Sequence, residues 1–417
     1  MSVHRVEIFL LAVFCLLPTA CAGEGDWPAW RGPRRDGRCD ETGLLKTWPE
    51  AGPKLLWTAT GLGEGFSTPS IAGRLIYVMG NKDGQEWVLA LDREEMGQGV
   101  WATAVNPVRR DGGGYPGPRS TPTVDGNRVF AVGLNGDLLC LDAKTGKTYW
   151  RHDLVSDFGG EIGNWGYAES ALIDGKLVLC TPGGDKATML GLLKSNGKPV
   201  WRSQFGDEAG YASMIAIQVA GAKQYVQFTS RAVVGVSAKN GNLLWRYEKP
   251  ANGTANCATP LFADDSVFAA SNYSTGGGLV HLQKGRKTWE ANEVYFTQDM
   301  NNHHGGMVLI DGHLYGCDNA ILRCLDFKSG KTLWKDRSCG KCSLLYADGL
   351  LYCRAEDGLM SLVAATPDGF QLKGRFEQSQ RSERQAWPHP VIAGGRLYLR
   401  DQDRLFCYDV RGPSGGH

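Results

Sequence analysis

Two short segments of the sequence hold the side chains best suited to chemistry. The first, QDMNNHHGG, places His303 and His304 directly after Asn302. The second, NWGYAES, sets Glu169 two residues after Tyr167. Imidazoles and carboxylates are common metal ligands, and both can move protons in catalysis. The two histidines and Glu169 are therefore a candidate metal cluster, and Glu169 is the candidate catalytic base.

Each of these groups also has a simpler interpretation. Adjacent residues on a strand point to opposite faces, so His303 and His304 could share a metal only from a loop. Otherwise one histidine lies in a channel and the other bonds to the backbone. We favour that second interpretation and predict no metal site. Glu169 could likewise accept hydrogen bonds from Arg119 instead of acting as a base.

The elements that position these groups follow from a tryptophan repeat. The repeat consists of Trp57, Trp101, Trp150, Trp201, Trp245, Trp289 and Trp334, and Phe376 extends the series. Neighbouring members are 42 to 51 residues apart. This interval fits one four-stranded propeller blade, and helical periodicity is nearly absent. The sequence therefore predicts an all-β, eight-bladed β-propeller.

Other residues recur in register with the tryptophans. The unit LDAKTGKTYW contains Asp142, Thr145, Gly146 and Trp150, where aspartate and threonine form a turn and glycine supplies positive φ. This unit resembles the tryptophan-docking motif of the PQQ-like (pyrroloquinoline-quinone) β-propeller repeat family, in the quinoprotein alcohol dehydrogenase-like superfamily. The resemblance covers roughly residues 55 to 410. It implies that the seven tryptophans pack between neighbouring blades.

The number of blades depends on how the ring closes. The last repeat, residues 392–410, ends without its own tryptophan strand, and Trp57 precedes any complete blade. An N-terminal strand that completes the last blade would remove the free sheet edges. We therefore predict eight blades within residues 54–411. Seven blades is the alternative, because Phe376 must replace a tryptophan.

The N-terminus of the sequence has the pattern of a targeting signal. Arg5 precedes an apolar run from residue 8 to residue 17, too short to span a bilayer and typical of a signal peptide. We predict a signal peptide over residues 1–22, an extension over 23–53 and a disordered tail over 412–417. A lipid anchor at Cys21 is the alternative to cleavage after Ala22. No other stretch is apolar enough for a transmembrane helix, so we expect a periplasmic or secreted protein.

Charge and cysteine positions limit the partners and the cross-links. The 45 basic and 44 acidic residues argue against a nucleic-acid or anionic-membrane partner. Six of the twelve cysteines recur at equivalent strand positions and are expected to be core thiols: Cys140, Cys180, Cys317, Cys324, Cys353 and Cys407. Cys339 and Cys342 form a C-x-x-C pair, which is either a disulfide or redox pair or two thiols beside a turn.

Candidate binding residues lie just before the innermost strand of each predicted blade. These positions share one end of the channel, and they are rich in polar and aromatic side chains, as small-molecule sites are. The candidates are Arg119, Trp165, Tyr167, Glu169, Asn256, Asn302, His303, His304, Trp387 and His389, with Phe66, Tyr211, Lys341 and Arg384 at the same level. A wet polar channel without a ligand is the alternative.

Three groups of relatives share parts of this pattern. PQQ-dependent alcohol dehydrogenases resemble the fold, and the resemblance implies PQQ and Ca²⁺, with Glu169 and Asn256 as candidate counterparts of their calcium ligands. Their adjacent cysteine pair and the C-x-x-C-H haem motif are missing here. BamB-like envelope propellers are similar in fold and export. The segments WPAWRGPRRDG, WGYAES, PANGTAN and NHHGG most closely resemble exported planctomycete-type PQQ-like repeat proteins.

The sequence leaves two candidate functions. The first is a non-catalytic, exported module that binds a small molecule or an envelope protein. The alternative is a quinoprotein oxidoreductase that uses PQQ and Ca²⁺ to oxidise alcohols or sugars. The missing cofactor motifs favour the first.

Overall fold

The computed structural model describes residues 25–108 and 112–413. The signal-peptide prediction, with Cys21, lies outside the described residues, as do residues 414–417 of the tail. In the described part of the chain, no helix has the length and apolar character needed to cross a membrane.

Eight antiparallel sheets form eight blades, as predicted. Blade 1 contains β3 (Ser70–Ala72), β4 (Leu75–Lys82), β5 (Gln85–Asp92) and β6 (Gln98–Pro107), and blade 2 contains β7 (Thr123–Asp125), β8 (Arg128–Val132), β9 (Asp137–Asp142) and β10 (Thr148–Asp153). Blade 3 contains β11 (Leu172–Asp174), β12 (Leu177–Cys180), β13 (Met189–Leu193) and β14 (Pro199–Ser203), and blade 4 contains β15 (Ile215–Val219), β16 (Ala222–Phe228), β17 (Val233–Ser237) and β18 (Leu243–Tyr247). Blade 5 contains β19 (Leu261–Ala263), β20 (Ser266–Ser271), β21 (Gly276–Lys284) and β22 (Trp289–Thr297), and blade 6 contains β23 (Met307–Ile310), β24 (His313–Asp318), β25 (Ile321–Asp326) and β26 (Thr332–Asp336). Blade 7 contains β27 (Cys342–Ala347), β28 (Leu350–Ala355), β29 (Leu359–Ala364) and β30 (Leu372–Glu377), and blade 8 contains β31 (Val391–Ala393), β32 (Arg396–Asp401), β33 (Arg404–Asp409) and β2 (Lys54–Ala59). A short helix, α1 (Leu154–Phe158), follows blade 2, and β1 (Arg38–Cys39) lies against blade 7.

The N-terminal strand closes the ring. β2 pairs with β33, and Trp57 lies opposite Cys407. The predicted joining of the two chain ends is confirmed, and with it the count of eight. Because β2 occupies the outermost position of blade 8, the last blade is as complete as the others.

Each blade places one docking residue at a fixed point of its outermost strand. In all eight blades the pairing between the third and fourth strands shifts by one residue, and the docking residue follows that shift. The indole of Trp101 then reaches the turn of the next blade, where its Nε1 donates to Ala143 O at 3.1 Å. A Cβ at Gly146 would lie 2.5 Å from the Trp101 ring, so this turn needs glycine both for contact and for its φ of 72°.

One of the expected docking residues is wrong. Trp289 begins β22 opposite Lys284, while the docking position of blade 5 is held by Tyr295, whose hydroxyl donates to Phe327 O at 2.9 Å. In blade 7 Gly374 holds the register position, and Phe376 still packs on the next blade, where a Cβ at Gly52 would lie 2.5 Å from its ring. Spacing alone could not separate Trp289 from Tyr295, because β22 has nine residues where most of its counterparts have five or six, and the one-residue shift is not visible in the sequence.

The N-terminal extension supplies the indole that blade 7 lacks. Trp48 N donates to Lys373 O at 3.2 Å, and the Trp48 ring lies 5.7 Å from Tyr352 and 5.2 Å from Phe376. A Cβ at Gly374 would come 2.6 Å from the Trp48 Cβ. Glycine at this position therefore makes room for an aromatic side chain that comes from elsewhere in the chain.

The same extension fills part of the central channel. Trp27 forms two backbone hydrogen bonds with Ile71 of blade 1, and Pro28 O accepts from Val124 N of blade 2. Arg35 donates to Ser170 O and Ala171 O of blade 3. Backbone groups of the innermost strands thus find partners in the extension, which holds it inside the ring.

The cysteine prediction is partly wrong. Cys317 is not a free thiol, because it forms a disulfide with Cys342 that joins blade 6 to blade 7. Cys339 does not pair with Cys342; it is buried and its thiol contacts Cys353. The other repeated positions, such as Cys140, are buried free thiols as expected.

The role of Trp48 can be measured by truncation. We expect Trp48→Ala to lower the free energy of unfolding by about 3 kcal/mol, because a buried indole leaves a cavity beside Gly374. Trp289→Ala is the matched control and should cost less than about 1 kcal/mol, because this side chain is half-exposed. The midpoints of thermal unfolding check both values. Equal losses for the two variants would contradict the role given to Trp48.

Candidate functional site

A cavity of about 350 Å³ lies at one end of the channel. All eight blades contribute to its wall, and Trp30 of the extension forms part of it. The lining residues are Trp30, Phe66, Thr68, Tyr115, Arg119, Trp165, Ala168, Tyr211, Ser213, Ala255, Cys257, Tyr273, His303, His304, Lys341, Glu356, Gln385 and Trp387.

The topology explains why these residues meet. Most of them lie in the connections that precede the innermost strands, and Tyr273 and Glu356 lie in turns between second and third strands. Both kinds of connection come to the same end of an antiparallel blade. Trp30 contributes from the channel side, where its Nε1 donates to Thr259 Oγ1 at 2.9 Å and its ring lies 4.5 Å from His389.

Aromatic side chains dominate the wall. Trp387 contacts Phe66 and Tyr115, with ring centroids 4.7 and 4.8 Å apart. On another part of the wall, Trp165 packs edge-on against Tyr211 at 5.6 Å. Each contact is worth about 1 kcal/mol beyond burial, so the rings hold one another in place. The cavity therefore has two fixed aromatic surfaces.

A charged cluster centred on Glu356 interrupts the aromatic wall. Glu356 Oε1 accepts from Trp387 Nε1 at 2.7 Å and lies 3.0 Å from Lys341 Nζ and 3.0 Å from His304 Nε2. Three contacts converge on one oxygen, so the other carboxylate oxygen retains acceptor capacity. Lys341 brings a compensating positive charge to the same place.

The two adjacent histidines are kept neutral. Burial, with the nearby Lys341 charge, lowers the pKa of His303 to about 4. Burial also lowers the pKa of His304 well below its usual value, helped by His303 and Lys341. The Nδ1 atoms of both rings are buried and have no protein partner. At neutral pH both rings are therefore uncharged parts of the cavity wall.

Arg119 is held by its own loop. Its guanidinium donates to Gly112 O, Tyr115 O and Gly117 O at 2.7 to 3.0 Å. It also lies 5.8 Å from the centre of the Phe66 ring. This arginine shapes the wall and has few donors left for a ligand.

Five of the ten sequence candidates line the cavity and five do not. Arg119, Trp165, His303, His304 and Trp387 belong to the wall. Tyr167, Glu169, Asn256, Asn302 and His389 are buried behind it.

The buried five bind the protein's own groups. Asn256 donates to Thr229 O and Ser230 O, and Asn302 donates to Gly306 O and Cys317 O. The Tyr167 hydroxyl donates to Pro182 O, and His389 contacts His304 O. They fix the loops that carry the wall.

Glu169 is one of these interior groups, not a residue of the cavity. Its carboxylate accepts from Thr181 N at 2.7 Å and from Gln227 Nε2 at 2.9 Å, and no hydrogen bond joins it to Arg119. The interpretations of Glu169 as a base facing the channel and as a partner of Arg119 are corrected accordingly. Burial raises its pKa to about 7.

Several wall residues were missed by the sequence analysis. Trp30, Tyr115, Tyr273 and Glu356 lie in the extension, in a long loop and in two strand turns, outside the positions that were considered. The turn residues had a usable signal. The connection between second and third strands reaches the same end of a blade as the connection that precedes the first strand.

The donor groups do not fit the calcium ion that PQQ enzymes use. Calcium takes six to eight oxygen ligands, mainly carboxylates and carbonyls. The amide of Asn256 and the carboxylate of Glu169 are engaged by protein groups, and Glu356 is the single carboxylate of the wall described above. Among residues 25–108 and 112–413, no three His, Cys, Asp or Glu side chains are arranged to hold a metal. The cluster suggested by His303, His304 and Glu169 is not formed.

Fold and cavity together define a PQQ-like β-propeller of eight blades. The family model of the outer membrane protein assembly factor BamB matches residues 84–336, more than half of the chain. The chain belongs to this family.

Individual relatives agree with this assignment. BamB of Burkholderia pseudomallei (strain K96243) is 26% identical over 251 residues, which are 57% of this chain and 58% of that protein. BamB of Yersinia pestis is 23% identical over 248 residues, 57% of this chain and 60% of the relative. The matched region thus spans about three fifths of each curated relative.

Solved structures share the fold at low identity. BamB from Moraxella catarrhalis has a TM-score of 0.61 at 14% identity and covers 88% of this chain and 99% of its own. A quinohemoprotein alcohol dehydrogenase from Pseudomonas putida HK5 has a TM-score of 0.65 at 12% identity, with 94% and 81% covered. One fold is therefore shared by a dehydrogenase and an assembly factor, so the fold alone does not assign a function.

The burial of Glu169 predicts a pH-dependent stability. Between pH 4.5 and about 7 the unfolded carboxyl loses its proton while the folded one keeps it, so folding becomes less favourable as pH rises. We expect the free energy of unfolding of Glu169→Gln, measured relative to that of the wild type, to rise by on the order of 3 kcal/mol between pH 4.5 and pH 8. Unfolding at both pH values measures this. A difference in stability between variant and wild type that stays constant across pH would contradict it.

Proposed function

We propose that this propeller is a non-catalytic binding module of the cell envelope that holds a small ligand in its channel cavity. The observation that carries the proposal is the composition of the wall: two fixed aromatic surfaces beside one polar cluster. Ligand sites are mostly apolar, with a few convergent polar groups.

The chemistry of the wall favours binding over catalysis. General acid–base catalysis needs a group whose pKa lies near the working pH, and burial moves the histidine pKa values below that range. The thiol of Cys257 has its pKa raised to about 12 by burial, so it is a poor nucleophile. Glu356 is engaged in an ion pair with Lys341.

An envelope location is supported by two independent features. The relatives in this family are named outer membrane assembly factors. The apolar run near the N-terminus of the sequence, followed by small residues, is typical of exported chains. Binding of an envelope protein is the second candidate, and it rests on the names of these relatives.

Ligand binding can be tested with an aromatic probe. We expect prodan, an uncharged aromatic fluorophore with a carbonyl acceptor, to bind one site per chain with enhanced fluorescence, because the cavity wall is mostly aromatic and open. Ala168→Trp should fill the cavity and weaken binding at least tenfold, about 1.4 kcal/mol. Ala102→Trp, on the exposed outer strand β6, is the matched control and should bind as wild type.

The catalytic alternative is tested on the same protein. Purified chain incubated with PQQ and Ca²⁺ should show no dye-linked oxidation of alcohols or sugars. Turnover that depends on PQQ would contradict the non-catalytic proposal. Probe binding that Ala168→Trp leaves unchanged would contradict the cavity as the site.

Export is tested by cell fractionation of the full-length chain. We expect a processed protein in the periplasmic or secreted fraction, and Cys21→Ser should fractionate in the same way if cleavage follows Ala22. A membrane-bound wild type that Cys21→Ser releases would instead establish the lipid anchor. Retention of an unprocessed chain in the cytoplasm would contradict the envelope assignment.

A further inference from the structure

The geometry of the cavity restricts the chemical class of its ligand. The clusters around Trp387 and Trp165 offer rigid ring surfaces on different parts of the wall. Flat aromatic surfaces match ligands with flat apolar faces, and their fixed positions avoid the entropy cost of ordering side chains on binding. The first requirement is thus a ring-shaped ligand.

The polar groups require a ligand with several hydroxyl groups. Glu356 accepts hydrogen bonds and Lys341 donates them, while the neutral imidazole of His304 lies 3.0 Å from Glu356 and helps to hold its carboxylate. These groups stand on one side of the cavity, and a charged partner makes a hydrogen bond to a neutral group stronger. A hydroxyl both donates and accepts, so it satisfies every member of this mixed set.

Charge excludes the other ring-shaped candidates. An organic anion would need a free cation, but Lys341 is paired with Glu356 and the Arg119 guanidinium is engaged by three carbonyls. An organic cation would meet the positive charge of Arg119, whose guanidinium is bonded to neutral carbonyls. A purely apolar ligand would strip water from the ion pair without replacing its hydrogen bonds.

We propose that the cavity binds a neutral saccharide, with the sugar rings stacked on Trp387 and Trp165 and their hydroxyls bonded to Glu356 and Lys341. The volume of about 350 Å³ lies at the lower end of the range for ligand sites, roughly 300–1,000 Å³, which suits one or two sugar rings. This inference rests on the proposed binding function and specifies its ligand.

Calorimetric titration of the purified protein tests the proposal. The probes are glucose, galactose, N-acetylglucosamine and their β-1,4-linked disaccharides. We expect at least one to bind with a dissociation constant near or below about 1 mM and to quench tryptophan fluorescence. Trp387→Ala and Glu356→Gln should each weaken that binding at least tenfold.

Matched variants separate recognition from folding. Trp289→Ala and Glu290→Gln lie on β22, away from the cavity, and should bind as wild type. Trp387→Phe keeps a ring surface but loses the indole donor to Glu356, so it should restore part of the affinity lost in Trp387→Ala. Circular dichroism identifies variants that are folded.

The outcomes of these experiments distinguish the saccharide inference from the proposed binding function on which it rests. Absence of binding by every saccharide at about 10 mM, in a protein that still binds the fluorescent probe, overturns the saccharide and leaves the binding module. Loss of both overturns the two together. Saccharide binding that folded Trp387→Ala and Glu356→Gln leave unchanged places the sugar elsewhere and also overturns the inference.

Discussion

The structure depends on one repeated contact, an aromatic ring of one blade packed on the glycine turn of the next. The contact requires a residue at the register shift of the outermost strand and a turn without a side chain, as Trp101 and Gly146 illustrate. Each such contact is modest, about 1 kcal/mol beyond burial, but it recurs at several junctions around the ring. At the last blades the N-terminal part of the chain contributes. Trp57 completes blade 8 from the N-terminal side, and Trp48 fills the junction where Gly374 leaves space.

The N-terminal extension has a second consequence, which concerns the channel. An open propeller channel is a wet passage whose polar backbone groups water can satisfy. Here Trp27, Pro28 and Arg35 bond to the innermost strands, and Trp30 reaches the cavity wall. The passage becomes a cavity bounded by aromatic side chains. Side chains that are already fixed in the wall reduce the entropy cost of ordering such a site.

The fold alone does not decide the function of this chain, because proteins with very different functions share it. The interior carboxylate of Glu169 occupies a position that suggested catalysis, but its oxygens bond to Thr181 and Gln227. The carboxylate that does reach the cavity, Glu356, is held by Trp387 and Lys341. Groups so fully engaged suit recognition, where they keep one geometry, better than proton transfer, where they must change state.

The sequence by itself determined the repeat and therefore the fold. Tryptophan spacing, the turn residues around Asp142 and Gly146, and the unfinished last repeat were enough for eight blades and for the strand that closes them, because these depend on local turn chemistry and chain order. Half of the candidate site also followed, since residues before the innermost strands must meet at one end.

Only the tertiary structure decided which side chains face the cavity. Whether Glu169 or Glu356 reaches the cavity depends on the direction of each side chain. In an extended segment, a shift of one position along the chain points a side chain to the interior instead of the cavity. The same holds for Tyr295 in place of Trp289, and for the pairing of Cys342 with Cys317. Trp48 and Trp30 lie far along the chain from the groups they contact, so no local pattern could have assigned them to a blade junction and a cavity wall.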